Sequence, residues 1–273
     1  EISHFVQFLY SKTVNPGILF VGSFLMLIVL GAFLLKLPNA TNGSISTLEA
    51  VFIATSAVCV TGLIVVDTAT QFTGFGQLII LLLIQVGGLG FMTLTGLLAY
   101  AVSGQSSFKT QLAYTEIMSN RKVSNIMRFI YTVVFVTVLI ESIGAAFLYF
   151  SLDDQLFARR IDKLFFSVFH SVSAFCNAGF STYSNGLYQY EIRHNYNFHI
   201  ILAMLVILGS MGFPIVFNLY RYLRIKATNL VHFIFKNPSR ENMPNVIMLN
   251  SRLALLVNLF LLLLGFVAYI ICL

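Results

Sequence analysis

The sequence predicts an all-α polytopic membrane protein that repeats one unit: a long span, a short re-entrant helix, a turn, and a second long span. Three observations predict it. The first is composition. Of 273 residues, 58% are hydrophobic and 10% charged, with a mean hydropathy of +0.87, whereas a soluble domain carries about 25% charged residues. A soluble globule of this size cannot hide so much apolar surface, and a chain this apolar is not disordered. The second is that the apolar residues gather into runs of membrane-spanning length. The third is that one segment occurs twice.

The elements follow in order. A spanning helix needs about 20 mostly apolar residues, and five runs reach that length, at 18–37, 77–101, 127–150, 197–220 and 252–273. Two shorter runs, 47–58 and 164–175, sit between long ones and are followed by a glycine and a polar loop. Runs that short read as re-entrant or buried helices. Ser46-Thr-Leu-Glu49 offers a capping box for the first short helix, and Asp162 is the candidate cap of the second. No cleavable signal is evident before the first span.

Charge sets the expected orientation. Eleven of the sixteen Lys and Arg residues fall in one set of connections: Lys12, the group from Lys109 to Arg128, and the group from Arg221 to Arg252. Five fall in the other: Lys36, Arg159, Arg160, Lys163 and Arg193. The positive-inside rule then places the N-terminus in the cytoplasm of a multi-pass plasma-membrane protein, with both short helices entering from outside. The net charge of +6 is spread between spans, so no nucleic-acid partner is expected. Three cysteines, an odd number in apolar surroundings, exclude a disulfide scaffold, and zinc-type spacings are absent.

The repeat is read directly. Glu49-Ala-Val-Phe-Ile-Ala-Thr-Ser-Ala-Val-Cys-Val-Thr-Gly62-Leu63 aligns without a gap on Phe166-Ser-Val-Phe-His-Ser-Val-Ser-Ala-Phe-Cys-Asn-Ala-Gly179-Phe180, an offset of 117. Val51/Val168, Phe52/Phe169, Ser56/Ser173, Ala57/Ala174, Cys59/Cys176 and Gly62/Gly179 are identical. Gly87-Gly-Leu-Gly-Phe91 then matches Gly209-Ser-Met-Gly-Phe213 at an offset of 122, the difference falling in an outer loop. The expected units are 1–108, 109–235, and 236–273 as a connecting loop with the first span of a third unit, so the chain reads as incomplete. Parallel repeats imply an axis along the membrane normal.

This unit suits a cation. Backbone carbonyls inside a bilayer must be satisfied internally or line a wet cavity. The chain after each short helix turns back, and its freed carbonyls can replace the hydration shell of a potassium ion. A short helix entering from outside also aims its partly negative C-terminal end at the membrane centre. Gly62 and Gly179 would permit positive φ and let chain segments approach a common axis. An ordinary glycine helix stop is the alternative for each. Cys59, Val60 and Thr61, and Cys176, Asn177 and Ala178, precede the glycines and would present the carbonyls. The two cysteines are expected to pack as small hydrophobes.

Thr55-Ser-Ala-Val-Cys-Val-Thr-Gly-Leu63, Ser173-Ala-Phe-Cys-Asn-Ala-Gly-Phe180 and Gln85-Val-Gly-Gly-Leu-Gly-Phe91 resemble the Trk/Ktr/HKT superfamily of cation transporters. The likeness covers essentially the whole chain and is to the KtrB membrane subunits of bacterial Ktr potassium uptake systems. The resemblance implies a potassium-channel-like fold of four span–pore-helix–span repeats around one K+ pathway. Each repeat would contribute a filter with one glycine. Here Leu63 and Phe180 follow the glycines with no second filter glycine, which suggests fewer ion sites than a Thr-Val-Gly-Tyr-Gly filter. The resemblance further implies a homodimer on a cytoplasmic KtrA-like ring of RCK domains that binds ATP or ADP. No organic cofactor is expected on this chain, and the protein is expected not to be an enzyme.

Gly87, Gly88, Gly90, Gly209 and Gly212 would serve close helix packing or a hinge, with packing the expectation. Pro214 is expected to kink or end a helix. Glu141, mid-span, is a functional candidate by position, with a neutral or paired glutamate packed between helices as the expectation. His170 is expected to be a hydrogen-bonded packing residue. An intramembrane hydrolase using His170 and Ser173 lacks the nucleophile-elbow and zinc motifs such chemistry uses. A sodium-coupled solute carrier would favour inverted rather than parallel repeats.

Overall fold

The computed structural model describes residues 16–102, 123–190, 192–211 and 249–272. Gly212, Pro214 and most of the basic connections, including 109–122 and 221–240, lie outside the described residues. The chain runs α1 (Pro16–Leu35), α2 (Thr47–Val58), the single turn α3 (Thr68–Gln71), α4 (Gly74–Val102), α5 (Val123–Ser151), α6 (Arg160–Phe175), α7 (Tyr196–Ser210) and α8 (Leu249–Cys272). The long apolar runs at 18–37, 77–101, 127–150 and 252–273 return as α1, α4, α5 and α8, and the short ones as α2 and α6; of the run 197–220, α7 covers the part up to Ser210, and 212–220 lie outside the described residues. Among the described residues the only strand-like pairing is one isolated bridge, Thr41 with Phe72.

Helix α1 has 20 residues, α4 and α5 have 29 each, and α8 has 24. At about 1.5 Å per residue these reach or exceed the roughly 30 Å hydrocarbon core. Within the described residues the stretch Tyr131–Ser151 is by itself long and apolar enough to cross a bilayer, with a mean hydropathy of 2.2; Val21–Leu35, Gly74–Gly90, Tyr196–Ser210 and Leu256–Ala268 are shorter apolar stretches.

Two compact units divide the chain: Glu1–Phe91 with Gly144–Ala203, and Met92–Ile143 with Met204–Leu273. The first holds a core to which both copies of the repeat contribute. Leu35, Ile53, Ala54, Val58, Ile80 and Ile84 from the first copy pack with Phe169, Val172, Ala178 and Phe180 from the second. In the second unit, Val133, Val136, Thr137 and Glu141 of α5 are buried, and α8 exposes its large apolar side chains from Leu256 to Ile271.

Cap chemistry sets where the short helices start. Ser46 caps α2 as a complete capping box: its hydroxyl accepts from the Glu49 N–H at 3.2 Å, and the Glu49 carboxylate accepts from the Ser46 N–H at 2.8 Å. The expectation for Asp162 is corrected. Helix α6 begins at Arg160, a turn before its apolar run, so Asp162 falls inside the first turn and the N-cap position is Arg159. Asp162 accepts two bonds from the Arg159 guanidinium, at 3.0 and 3.1 Å, and its charge still suits the positive end of the helix.

Lys163 anchors α6 to the end of α5. Its buried ammonium donates to the Leu152 carbonyl at 2.8 Å and to Asp154 at 2.6 Å, and lies 4.4 Å from the Tyr149 ring centroid. The bond from Lys163 holds the exposed Asp154 carboxyl below its ordinary pKa. Asn195 closes the far side. Its side-chain amide donates to the Ser151 carbonyl at 2.7 Å, while its carbonyl oxygen accepts from the Phe198 N–H at 3.1 Å and caps α7. In the first copy the connection after α1 zips to the segment from α3 to α4, through Asn42 N–H to the Gln71 carbonyl and Thr73 N–H to the Ala40 carbonyl, at 2.8 and 3.0 Å.

Candidate functional site

The site residues fall where the two short helices end, and the two ends are built alike. In α2 the Val60 N–H donates to the Ala57 carbonyl at 3.2 Å and the Thr61 N–H to the Ser56 carbonyl at 2.8 Å. In α6 the Asn177 N–H donates to the Ala174 carbonyl at 3.0 Å and the Ala178 N–H to the Ser173 carbonyl at 2.7 Å. These are paired Schellman closures. Such a closure needs one left-handed residue, and Val60 (φ 55°) and Asn177 (φ 59°) supply it.

The glycines therefore do not stop the helices. Gly62 (φ 79°) and Gly179 (φ 72°) lie two residues beyond the left-handed stop, and each is left-handed in its own right. The Thr61 and Ala178 between them do not have positive φ.

The two turns meet. A Cβ on Gly62 would overlap the Ala178 carbonyl oxygen and stand 3.4 Å from the Gly179 Cα; a Cβ on Gly179 would stand 3.7 Å from the Gly62 Cα. Residues 117 apart in sequence are thus in backbone contact. Cys59, Thr61, Asn177 and Gly179 are exposed, Val60 and Gly62 half-buried, and Cys176 and Ala178 buried. The two cysteines do not play one role. The Cys59 thiol is exposed and that of Cys176 buried.

Helix α4 seats both short-helix ends on adjacent glycines. A Cβ on Gly87 would overlap the Val58 carbonyl, and one on Gly88 would stand 2.7 Å from the Cys176 sulfur. Gly90 faces the Phe24 ring, 3.2 Å from where its Cβ would be. Gly209 is buried on α7. Gly212 lies outside the described residues.

His170 and Ser173 do not pair with each other. Ser173 donates its hydroxyl proton to the Phe180 carbonyl at 2.8 Å. His170 is buried, with Nδ1 2.9 Å from the Phe166 carbonyl and Nε2 3.0 Å from the Ser181 hydroxyl. No carboxylate orients the imidazole, so the arrangement lacks the third member of a hydrolytic triad. Among the described residues no group of three or more His, Cys, Asp or Glu is placed to hold a metal.

Sequence reasoning did not identify Val60 and Asn177 as the helix stops. Asn tolerates the left-handed region and was a legible signal at 177. A β-branched valine opposes that conformation, so 60 carried none. The contact between the turns is non-local and left no local trace.

The family model described as a cation transport protein, TrkH, matches residues 13–273. The Ktr system potassium uptake protein B of Bacillus subtilis is 37% identical over 215 residues, which is 79% of this chain and 47% of that protein. Its namesake from Vibrio alginolyticus is 34% identical over 222 residues, 81% of this chain and 48% of that protein. The potassium/sodium uptake protein NtpJ of Enterococcus hirae is 32% identical over 263 residues, 95% of this chain and 53% of that protein. The chain spans about half the length of the curated relatives it matches. A helical chain with two matched glycine turns in contact, related in sequence to these proteins over most of its length, belongs to the TrkH family of cation transport proteins.

Proposed function

We propose that these residues form half of a potassium pathway in a membrane uptake subunit. Residues 1–108 and 109–235 supply two of its span–pore-helix–span quarters, and 236–273 begins a third. The observation that carries the reading is the backbone contact between Gly62 and Ala178–Gly179. It supports two filter loops on one path, lined by the carbonyls of Cys59, Val60, Thr61 and Gly62 and of Cys176, Asn177, Ala178 and Gly179. Potassium is the transported ion, dehydrated against those carbonyls. The negative ends of α2 and α6 favour a cation at the membrane centre.

A membrane location follows from the family. The excess of Lys and Arg in one set of connections supports a cytoplasmic N-terminus with the short helices entering from the outer face. By the resemblance to Ktr subunits, the full-length protein works as a homodimer on a nucleotide-binding RCK ring that gates it.

The test is uptake in potassium-uptake-deficient cells expressing the full-length protein, compared with Gly62→Ser and Gly179→Ser. The parent is expected to restore growth on low potassium. Each serine forces a side chain into a left-handed backbone, and at 62 into the Ala178 carbonyl, so each is expected to alter potassium affinity or potassium-over-sodium selectivity at least tenfold. Both variants retaining the parent's affinity and selectivity would remove the filter from these positions.

A further inference from the structure

The two loops share a backbone and differ in what stands behind them. Behind the second, a chain of hydrogen bonds runs from helix to loop. A carbonyl only accepts, so His170 Nδ1 carries the proton it gives to the Phe166 carbonyl at 2.9 Å. With the imidazole neutral, Nε2 is then the acceptor for the Ser181 hydroxyl at 3.0 Å. The Ser181 oxygen in turn accepts from the Tyr183 N–H at 3.1 Å. Three residues along α6, Ser173 donates to the Phe180 carbonyl at 2.8 Å. The residues following Gly179 are therefore tied to α6 at two successive positions. The imidazole is held in turn by Phe166, whose ring centroid lies 3.9 Å away, and by Phe169 and Phe198.

Behind the first loop the same positions hold Ile53 for His170, Leu63 for Phe180 and Ile64 for Ser181. Ser56, the counterpart of Ser173, keeps its hydroxyl, yet its oxygen is buried without a hydrogen-bond partner among the described residues. Leu63, Ile64 and Val65 are exposed. One loop is braced by its helix, and its sister lacks both tethers.

We propose that His170 and Ser173 are positioning residues that fix the second loop, so that the two quarters of the ion site are mechanically unequal: 179–181 is rigid and 62–64 compliant. This rests on the potassium-pathway reading above. A braced loop holds its carbonyls at the spacing set by its tethers, and loosening it lets them close around a smaller ion, so bracing acts on discrimination between potassium and sodium.

The test measures the ratio of potassium to sodium flux in proteoliposomes containing the full-length protein. Ser173→Ala and His170→Leu each remove one tether and are expected to lower the ratio at least fivefold. Ser173→Thr and His170→Gln, which keep a bonding group in place, are expected to stay within twofold of the parent. Ser56→Ala, the same substitution at the matched position, is expected to leave the ratio unchanged. If the α6 variants fail to reach the membrane, Ser181→Ala cuts the histidine tether from the loop side and carries the same expectation. A parent-like ratio in the tether-removing variants, or an equal fall in Ser56→Ala, overturns the inference. Gly62→Ser and Gly179→Ser are measured alongside. If those also leave the ratio unchanged, the pathway reading itself fails; if they change it while tether loss does not, only the bracing fails.

Discussion

Val60 is the most strained of the residues that shape the site. A β-branched side chain at φ 55° pays the Cβ–carbonyl conflict that costs about 1–2 kcal/mol. The matched position holds Asn177, whose short polar side chain tolerates that conformation and bonds locally to the Phe175 carbonyl at 3.4 Å. Val60→Asn is therefore expected to stabilise the protein by about 1 kcal/mol, seen as a higher midpoint of thermal unfolding in detergent. An unchanged or lower midpoint would mean that valine's packing there outweighs its strain. Ser56 shows the opposite case: a buried hydroxyl without a partner among the described residues at a position where its twin is bonded. Neither feature was readable from residue identities, because Ser56 and Ser173 are the same letter. What separates them is the chain around them, with His170 and Ser181 on one side and Ile53 and Ile64 on the other.

At the scale of elements, what is local was legible and what is long-range was not. The boundaries of α2 follow from Ser46, Glu49 and an apolar run, all within a dozen residues. Hydropathy misses the start of α6 because three of the four residues of its first turn, Arg160, Asp162 and Lys163, are charged. Its anchor on α5 arises only after folding, when Lys163 reaches Leu152 and Asp154. The glycine pair on α4 was legible as a packing surface, but not as a seat for two different helix ends. The environments of individual helix glycines separate their roles. Gly22 on α1 has nothing within 4 Å of where a Cβ would be, whereas Gly87 faces Val58 backbone. Gly22→Ala is expected to stabilise by about 0.5–1 kcal/mol through backbone entropy. Gly87→Ala is expected to destabilise by about 1–3 kcal/mol through overpacking and to impair uptake as well. Thermal unfolding of the two variants side by side checks the sign. Equal shifts in the same direction would rule out close approach at Gly87.

For the molecule as a whole, composition and charge carried most of the reading. The apolar faces of α1 and α8 remain bare, as surfaces bound for lipid or for a further part of the protein would be. Orientation can be checked by introduced cysteines in a full-length protein lacking its native ones. On the proposed orientation, Asn185→Cys, in an exposed loop, is expected to react with an impermeant maleimide in intact cells, and Ser119→Cys only after permeabilisation. The reverse pattern would invert the topology. The adjacent contacts of Gly87 with Val58 and Gly88 with Cys176 have a mechanical meaning. On the proposed pathway reading, helix α4 would be a common bearing for the two loops. A shift or tilt at its midpoint would then displace both together rather than one at a time.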